Sequence, residues 1–338
     1  MRRIDVFNHI FPERYVARMR EVAPDCKDAG KRVRGVPMLV DLDVRFRVMD
    51  AFDGYQQILS IATPPIETYA SPVEAVDLAE RANDGMAELV GRYRDRFPGF
   101  VASLPLNDPD AARGELDRAI RDLGACGIQL FTNVCGKPIV ASEFLPLFEA
   151  MAGYDLPIWL HPYRSAAVSD YSSEDRSLYE IWWTFGWPYD TSAAMARIVF
   201  AGLFDRFPDL KIITHHMGAM APYFEGRLGP GWDQLGARTS DADYSLVLKG
   251  LQKRPLDYFR MFYADTALFG AYEATMCGLR FFGADRVLFA SDAPFDPEQG
   301  PMYIRETIGV IDRLPITTEE RDRIYWGNAV RLLRLPAA

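Results

Sequence analysis

The chain is poor in cysteine, histidine and net positive charge, and no run in it approaches the roughly 20 uninterrupted apolar residues that cross a bilayer. Its four cysteines, Cys26, Cys126, Cys135 and Cys277, show neither CxxC nor zinc-ribbon spacing. That argues against a disulfide scaffold or a cysteine metal site and fits reduced thiols in a cytoplasmic protein. A formal charge of −9, from 38 Lys and Arg against 47 Asp and Glu, argues against non-specific nucleic-acid binding and against attraction to an anionic membrane. An anionic substrate would then need local arginines to hold it. The opening residues Met1-Arg2-Arg3-Ile4-Asp5 run straight into a strand pattern and lack the apolar core of a signal peptide. A glycine-rich phosphate turn after the first strand is also missing, which disfavours an open doubly wound sheet.

What is present alternates from end to end. Short aliphatic runs at Ile4–Asn8, Gln57–Ala62, Phe100–Leu104, Gly127–Phe131, Pro157–His161, Leu210–His215, Met261–Asp265 and Arg286–Ala290 read as strands. Segments such as Pro72–Phe97, Asp110–Leu123, Ala141–Tyr154, Ser192–Phe207 and Ala271–Phe282 carry helical spacing of apolar residues. Eight such alternations, without a linker rich in Pro, Gly or Ser, predict an α/β chain forming one (β/α)8 TIM barrel domain over residues 1–338. Two insertions exceed ordinary strand-to-helix loops. Pro12–Val44 follows the first strand, and Tyr163–Pro188, with Tyr163, Tyr171, Tyr179, Trp182, Trp183, Phe185 and Trp187, follows the fifth. Both follow strand C-termini, the face on which barrel active sites form. The aromatic segment reads equally as a lid, a subunit interface or a substrate wall in which Trp183 is a contact.

Only four histidines occur, and each falls at a predicted strand end: His9 after the first, His161 at the fifth, and His215-His216 at the sixth. Asp292 follows the eighth in Ala290-Ser291-Asp292-Ala293-Pro294-Phe295. A closed barrel brings these distant positions to one mouth, so the set reads as catalytic or metal-binding rather than as packing.

The strings Ile4-Asp5-Val6-Phe7-Asn8-His9-Ile10-Phe11-Pro12, Leu160-His161-Pro162, His216 through Arg227 and Ala290 through Phe295 resemble the second amidohydrolase family. Within it the likeness is to aminocarboxymuconate semialdehyde decarboxylases and aromatic-acid decarboxylases. Further matches at Asp43–Asp50, Gln57–Ser60, Gly124–Gln129, Phe204–Lys211 and Gly327-Asn328-Ala329 extend it over nearly the whole chain. The resemblance implies one divalent metal, usually zinc, held by a His-x-His pair on strand one, a histidine after strand five and an aspartate after strand eight. It thereby assigns His9, His161 and Asp292 as ligands. His216, six residues before Pro222, becomes the proton-transfer residue, with Asp292 able to return a proton to carbon. His215 is left a supporting role.

The pattern breaks at its first ligand, where Phe7 offers no lone pair. Strand alternation puts Asp5, Phe7 and His9 on one face and turns Asn8 away, unless the strand ends in a bulge. Two histidines and one carboxylate remain, which suits a catalytic zinc site and equally a non-heme iron oxygenase, with manganese also permitted. Three readings follow: a metal-dependent decarboxylase or hydrolase of a small cyclic or unsaturated carboxylic acid, an oxygenase, or a silent subunit supporting a paralogue. The resemblance also implies a homodimer in which Arg227 pairs with substrate carboxylate across the subunit boundary. Arg45, Arg47 and Arg164 are further candidates, because a planar guanidinium binds carboxylate with two parallel hydrogen bonds.

Overall fold

In the computed structural model, which describes residues 1–336, eight parallel strands follow one another at the predicted places. They are β1 (Arg3–His9), β2 (Tyr55–Ser60), β3 (Gly99–Phe100), β4 (Ile128–Phe131), β5 (Ile158–His161), β6 (Ile212–Thr214), β7 (Tyr263–Asp265) and β8 (Val287–Leu288). Neighbours in sequence are neighbours in space: β1 to β3 pair in order, and β4 to β8 pair in order. Backbone hydrogen bonds join the two seams. Ala102 bridges Ile128, and the Val6 amide donates to Phe289 O at 3.0 Å. The architecture is the (β/α)8 TIM barrel. Among the described residues no helix is long and apolar enough to cross a membrane.

Several strands are shorter than their apolar runs predict, because hydrogen bonding stops where the chain turns into the mouth. The helices show similar trimming. Pro72–Arg92 starts under a Ser71–Glu74 capping box with proline in its first turn, and buries Ala75, Leu78, Ala82, Met86 and Leu89 at three- and four-residue spacing. It ends at Arg92, five residues before the predicted Phe97. The predicted Ser192–Phe207 helix instead begins at Trp187 and breaks after Phe200, where Gly202 takes a left-handed conformation (φ 69°). Residues after β1 form helices Glu13–Val22, Ala29–Arg34 and Leu42–Asp50, and the aromatic segment after β5 leads into a wide helical turn at Trp182–Gly186.

The barrel packs tightly across its axis. Ile4, Val6, Ile58, Val101, Trp159, Ile213 and Leu288 form one buried cluster drawn from strands all round the sheet. The Trp159 indole N–H reaches from β5 to the Val6 carbonyl at 2.9 Å, which satisfies a donor that burial would otherwise orphan. Gly127 lets β4 begin beside Pro157, since a Cβ there would stand 2.1 Å from the Pro157 carbonyl oxygen. The β1 ladder slips by one residue between Asp5 and Asn8, a bulge that re-aims the strand end. Asn8 nonetheless stays out of the mouth: its amide donates to Asp5 O and Ile58 O.

One buried acid in the loop after β2 lacks compensation. Glu67 has an oxygen with no hydrogen-bond partner, and burial pushes its pKa up to about 7. A folded-state pKa above the unfolded value favours the protonated form. Stability is therefore greatest below the usual carboxyl range and falls as pH rises from about 4.5 to about 7, by up to about 3 kcal/mol. Urea unfolding of Glu67→Gln at pH 5 and pH 8 should show most of this pH dependence removed, and a wild-type slope in the variant would refute the assignment.

Candidate active site

The ends of β1, β5, β6 and the turn after β8 deliver His9, His161, His215, His216 and Asp292 to one place. Backbone hydrogen bonds lock β1 to that turn: the Asp292 amide donates to Phe7 O, and the His9 amide to Ala293 O, each at 2.9 Å. Below them the Asp5 carboxylate accepts from the Phe7 and Ser291 amides and from the Tyr55 and Ser291 hydroxyls. His216, Met217, Ala219 and Asp292 all adopt left-handed backbone, with φ of 53°, 54°, 55° and 62°. Such conformations in non-glycine residues persist where the surroundings over-determine them, commonly at functional sites.

Each imidazole is tethered through Nδ1. His161 Nδ1 donates to Pro162 O at 2.7 Å, and His216 Nδ1 to Ala267 O at 2.5 Å. His215 Nδ1 donates to the buried Asp265 carboxylate at 2.5 Å. The Ser60 hydroxyl gives its proton to Asn8 O, so its oxygen accepts from His9 Nδ1 at 3.2 Å. These tethers set the tautomers and leave every Nε2 for the cluster. The ligand atoms of His9, His161 and His215 lie within 4.8 Å of one another, as do those of His215, His216 and Asp292.

The electrostatics of the cluster are those of a site built around positive charge. Burial holds His9 below the ordinary histidine pKa, and burial together with His9 and His215 holds His161 well below it. Burial and the adjacent His215 take His216 down to about 4. Burial opposes the charged form of His215 as well, but Asp265 and Asp292 outweigh it and raise its pKa to about 9. Burial likewise works against ionised Asp292, yet the contact with charged His215, foremost, holds it far below the usual carboxylate range. His9 Nε2 therefore points a lone pair at Asp292 Oδ1 from 3.2 Å, an opposition of two acceptors that a cation between them would relieve. His215 Nε2 is buried without a hydrogen-bond partner, 3.4 Å from the same oxygen. The donor set and this orphaned atom fit a divalent cation.

His161 and Asp292 lie at the floor of a cavity of about 530 Å³. Its walls are Trp182, Trp183, Trp187, Phe269, Phe295 and Tyr303, and Lys31, Arg32 and Arg176 line it beside Asp28 and Glu180, with Arg176 paired to Asp28 at 3.3 Å. A larger cleft of about 870 Å³ lies at the opposite strand ends, around Met1, Tyr55 and Arg96, and collects no histidine.

Against expectation, none of Arg45, Arg47, Arg164 and Arg227 lines the cavity at the cluster. Arg45 is fully buried, with its guanidinium bonded to Met38 O, Gln57 and the His9 carbonyl, so it braces the end of β1. Arg47 is exposed on its helix, Arg164 pairs with Asp190 at 3.1 Å, and Arg227 is exposed beside Phe224. Trp183 does line the cavity. His215, expected in a supporting role, has its ring sandwiched between Phe7 (3.6 Å, 15°) and His216 (3.7 Å, 29°), with Nε2 in the cluster. Sequence reasoning missed Asp265 and Ser60, although both end strands at the mouth, where a polar residue was the available signal. Lys31, Arg32 and Arg176 lie in the insertions and carry no motif.

The family model described as amidohydrolase matches residues 4–335. The gamma-resorcylate decarboxylase of Polaromonas sp. is 32% identical over 306 residues, covering 88% of this chain and 89% of its own. The 2-amino-3-carboxymuconate-6-semialdehyde decarboxylase of Dictyostelium discoideum is 29% identical over 296 residues, covering 87% and 77%. Among solved structures, a dihydroxybenzoic acid decarboxylase from Polaromonas sp., with bound manganese and the inhibitor 2-nitroresorcinol, superimposes with a TM-score of 0.78. It is 28% identical and covers 100% of this chain and 98% of its own.

In metal-free protein at pH 7, imidazole NMR should find His215 doubly protonated and the other three neutral, with His216 titrating near 4. Asp265→Asn should bring the His215 titration down by a unit or more, since it removes the charge that faces Nδ1. A neutral His215 at pH 7 in the wild type would contradict this electrostatic reading.

Proposed function

The chain belongs to the amidohydrolase family, and from that premise we propose that it is a metal-dependent decarboxylase of small aromatic carboxylic acids. The observation that carries this is an ionised Asp292 among four tethered imidazoles at the floor of an aromatic-walled, cation-lined cavity. Relatives over most of the chain include decarboxylases of gamma-resorcylate and of 2-amino-3-carboxymuconate-6-semialdehyde. The non-heme iron oxygenase has no such support.

His9, His161 and Asp292 would hold the divalent metal. When bound, it supplies Lewis-acid polarisation of substrate oxygens. The imidazole-rich donor set suits zinc, whereas the Polaromonas structure holds manganese, and elemental analysis of the purified protein distinguishes them. Trp183, Phe269 and Tyr303 orient the flat ring, while Lys31 and Arg32 draw an anion into a chain of net charge −9. His216, neutral at working pH and tethered to Ala267 O, exchanges a proton with the substrate. Asp292 lies within 4.8 Å of His216, near enough for a bridging water to relay that proton toward the ring carbon. The bond to the carboxylate breaks with its electron pair left on carbon, carbon takes the proton, and CO2 departs.

Assembly is part of the same reading. Arg227 and Tyr223 are exposed, the latter at 81%, on a face suited to the homodimer that the resemblance implies. Light scattering should give twice the chain mass, and a monomer with full activity would exclude the pairing.

Assays of CO2 release from 2,6-dihydroxybenzoate and other hydroxybenzoates should show activity that chelation abolishes and metal restores. His216→Gln and Asp292→Asn should each lower kcat about 10²–10⁴-fold. Chelator-resistant turnover, or full turnover in Asp292→Asn, would overturn the proposal.

A further inference from the structure

Position 7 is the place where this chain cannot serve a metal, and the structure brings another donor to the same spot. The Phe7 ring lies flat on the His215 ring, with centroids 3.6 Å apart and planes at 15°. His215 Nε2 is buried and has no hydrogen-bond partner. We propose that His215 is itself a metal ligand and takes over the coordination position that a phenyl ring at residue 7 leaves empty. This rests on the metal-dependent reading above and changes its ligand set from two histidines and a carboxylate to three histidines and a carboxylate.

Distances carry the assignment. With metal–ligand bonds of about 2.0–2.1 Å, neighbouring ligand atoms on a tetrahedral ion stand roughly 3.3–3.4 Å apart. Asp292 Oδ1 is 3.2 Å from His9 Nε2 and 3.4 Å from His215 Nε2. His9, His161 and His215 form one mutually close set, which Asp292 meets through His9 and His215, and His216 is not a member of it. His216 groups only with His215 and Asp292, to one side, which leaves it free for proton transfer. The support around His215 is also that of a ligand. Asp265 fixes its Nδ1 and simultaneously accepts from the His216 and Ala267 amides, so the carboxylate cannot swing away. A carboxylate–imidazole pair of this kind orients a metal-bound histidine and raises its basicity. Phe7 and His216 hold the ring from its two faces. Phe7 thus acts as a positioning residue: it contributes a flat wall instead of a ligand.

The test titrates metal-free full-length protein with Zn²⁺ and Co²⁺ and reads affinity and the cobalt absorption spectrum, alongside circular dichroism as a check on folding. Wild type should bind one ion with the intense visible bands of a low-coordinate site. His215→Gln should weaken binding by more than about 100-fold and alter those bands, a larger loss than the roughly 10–100-fold that supporting residues cause. Asp265→Asn should fall within that smaller range. Phe7→His placed in the His215→Gln chain should recover affinity, because it returns an imidazole to the same spot. If His215→Gln fails to fold, ¹⁵N-histidine NMR of the wild type decides the matter, with only four imidazoles to resolve. Zn²⁺ should shift Nε2 of His9, His161 and His215 and spare His216. Unchanged affinity and spectrum in His215→Gln, or an unshifted His215 Nε2, would overturn the proposal while leaving the metal-dependent function standing. A wild type that binds no ion would overturn both.

Discussion

An ionised carboxylate buried among imidazoles is the constraint on which the rest of this structure depends. Taking Asp292 out of water costs several kcal/mol unless opposite charge and hydrogen bonds compensate. His215 stands 3.4 Å away to do so, while His9 faces the same oxygen at 3.2 Å, and each is tethered behind by a different strand. Removing any tether would let an imidazole turn and leave the carboxylate exposed to an apolar surrounding. The strained backbone at His216, Met217, Ala219 and Asp292 fits this view, since these residues are held by the cluster rather than by their own preferences.

The barrel satisfies that constraint through its connectivity. Parallel strands that pair in sequence order bring their C-termini to one rim, so residues 9, 161, 215 and 292 meet without any chain segment crossing the core. The seam between β1 and the turn after β8 matters most, because it positions His9 against Asp292 through two backbone hydrogen bonds. Asp5 sets that seam from beneath by collecting four donors from both sides. Arg45 does comparable work at the end of β1, where it spends its guanidinium on main-chain and amide oxygens. A buried arginine with no donor to spare braces the site; it does not meet a substrate.

The rim is a separate problem from the floor. Its aromatic side chains come from the long segment after β5 and from loops after β7 and β8, and its cations come from the segment after β1 and from that same β5 loop. Loops of this kind vary without disturbing the strands, so one floor can serve different substrates.

Sequence by itself determined the eight strands, their order, and the identity of nearly every side chain at the mouth, because short continuous apolar runs and strand-end position are local properties of the chain. It also put Phe7 where the family resemblance expects a ligand. Tertiary structure alone decided which side chains stand beside it. Whether His215 faces the cluster depends on the ring of Phe7 beneath it, the carboxylate of Asp265 fifty residues on, and the left-handed turn at His216. It likewise decided which cations reach the cavity, since Lys31 and Arg32 on the short helix Ala29–Arg34, and Arg176 in the irregular segment after β5, carry no motif. Side-chain direction at a strand end is set by contacts from elements remote in sequence, and no spacing within one strand encodes them.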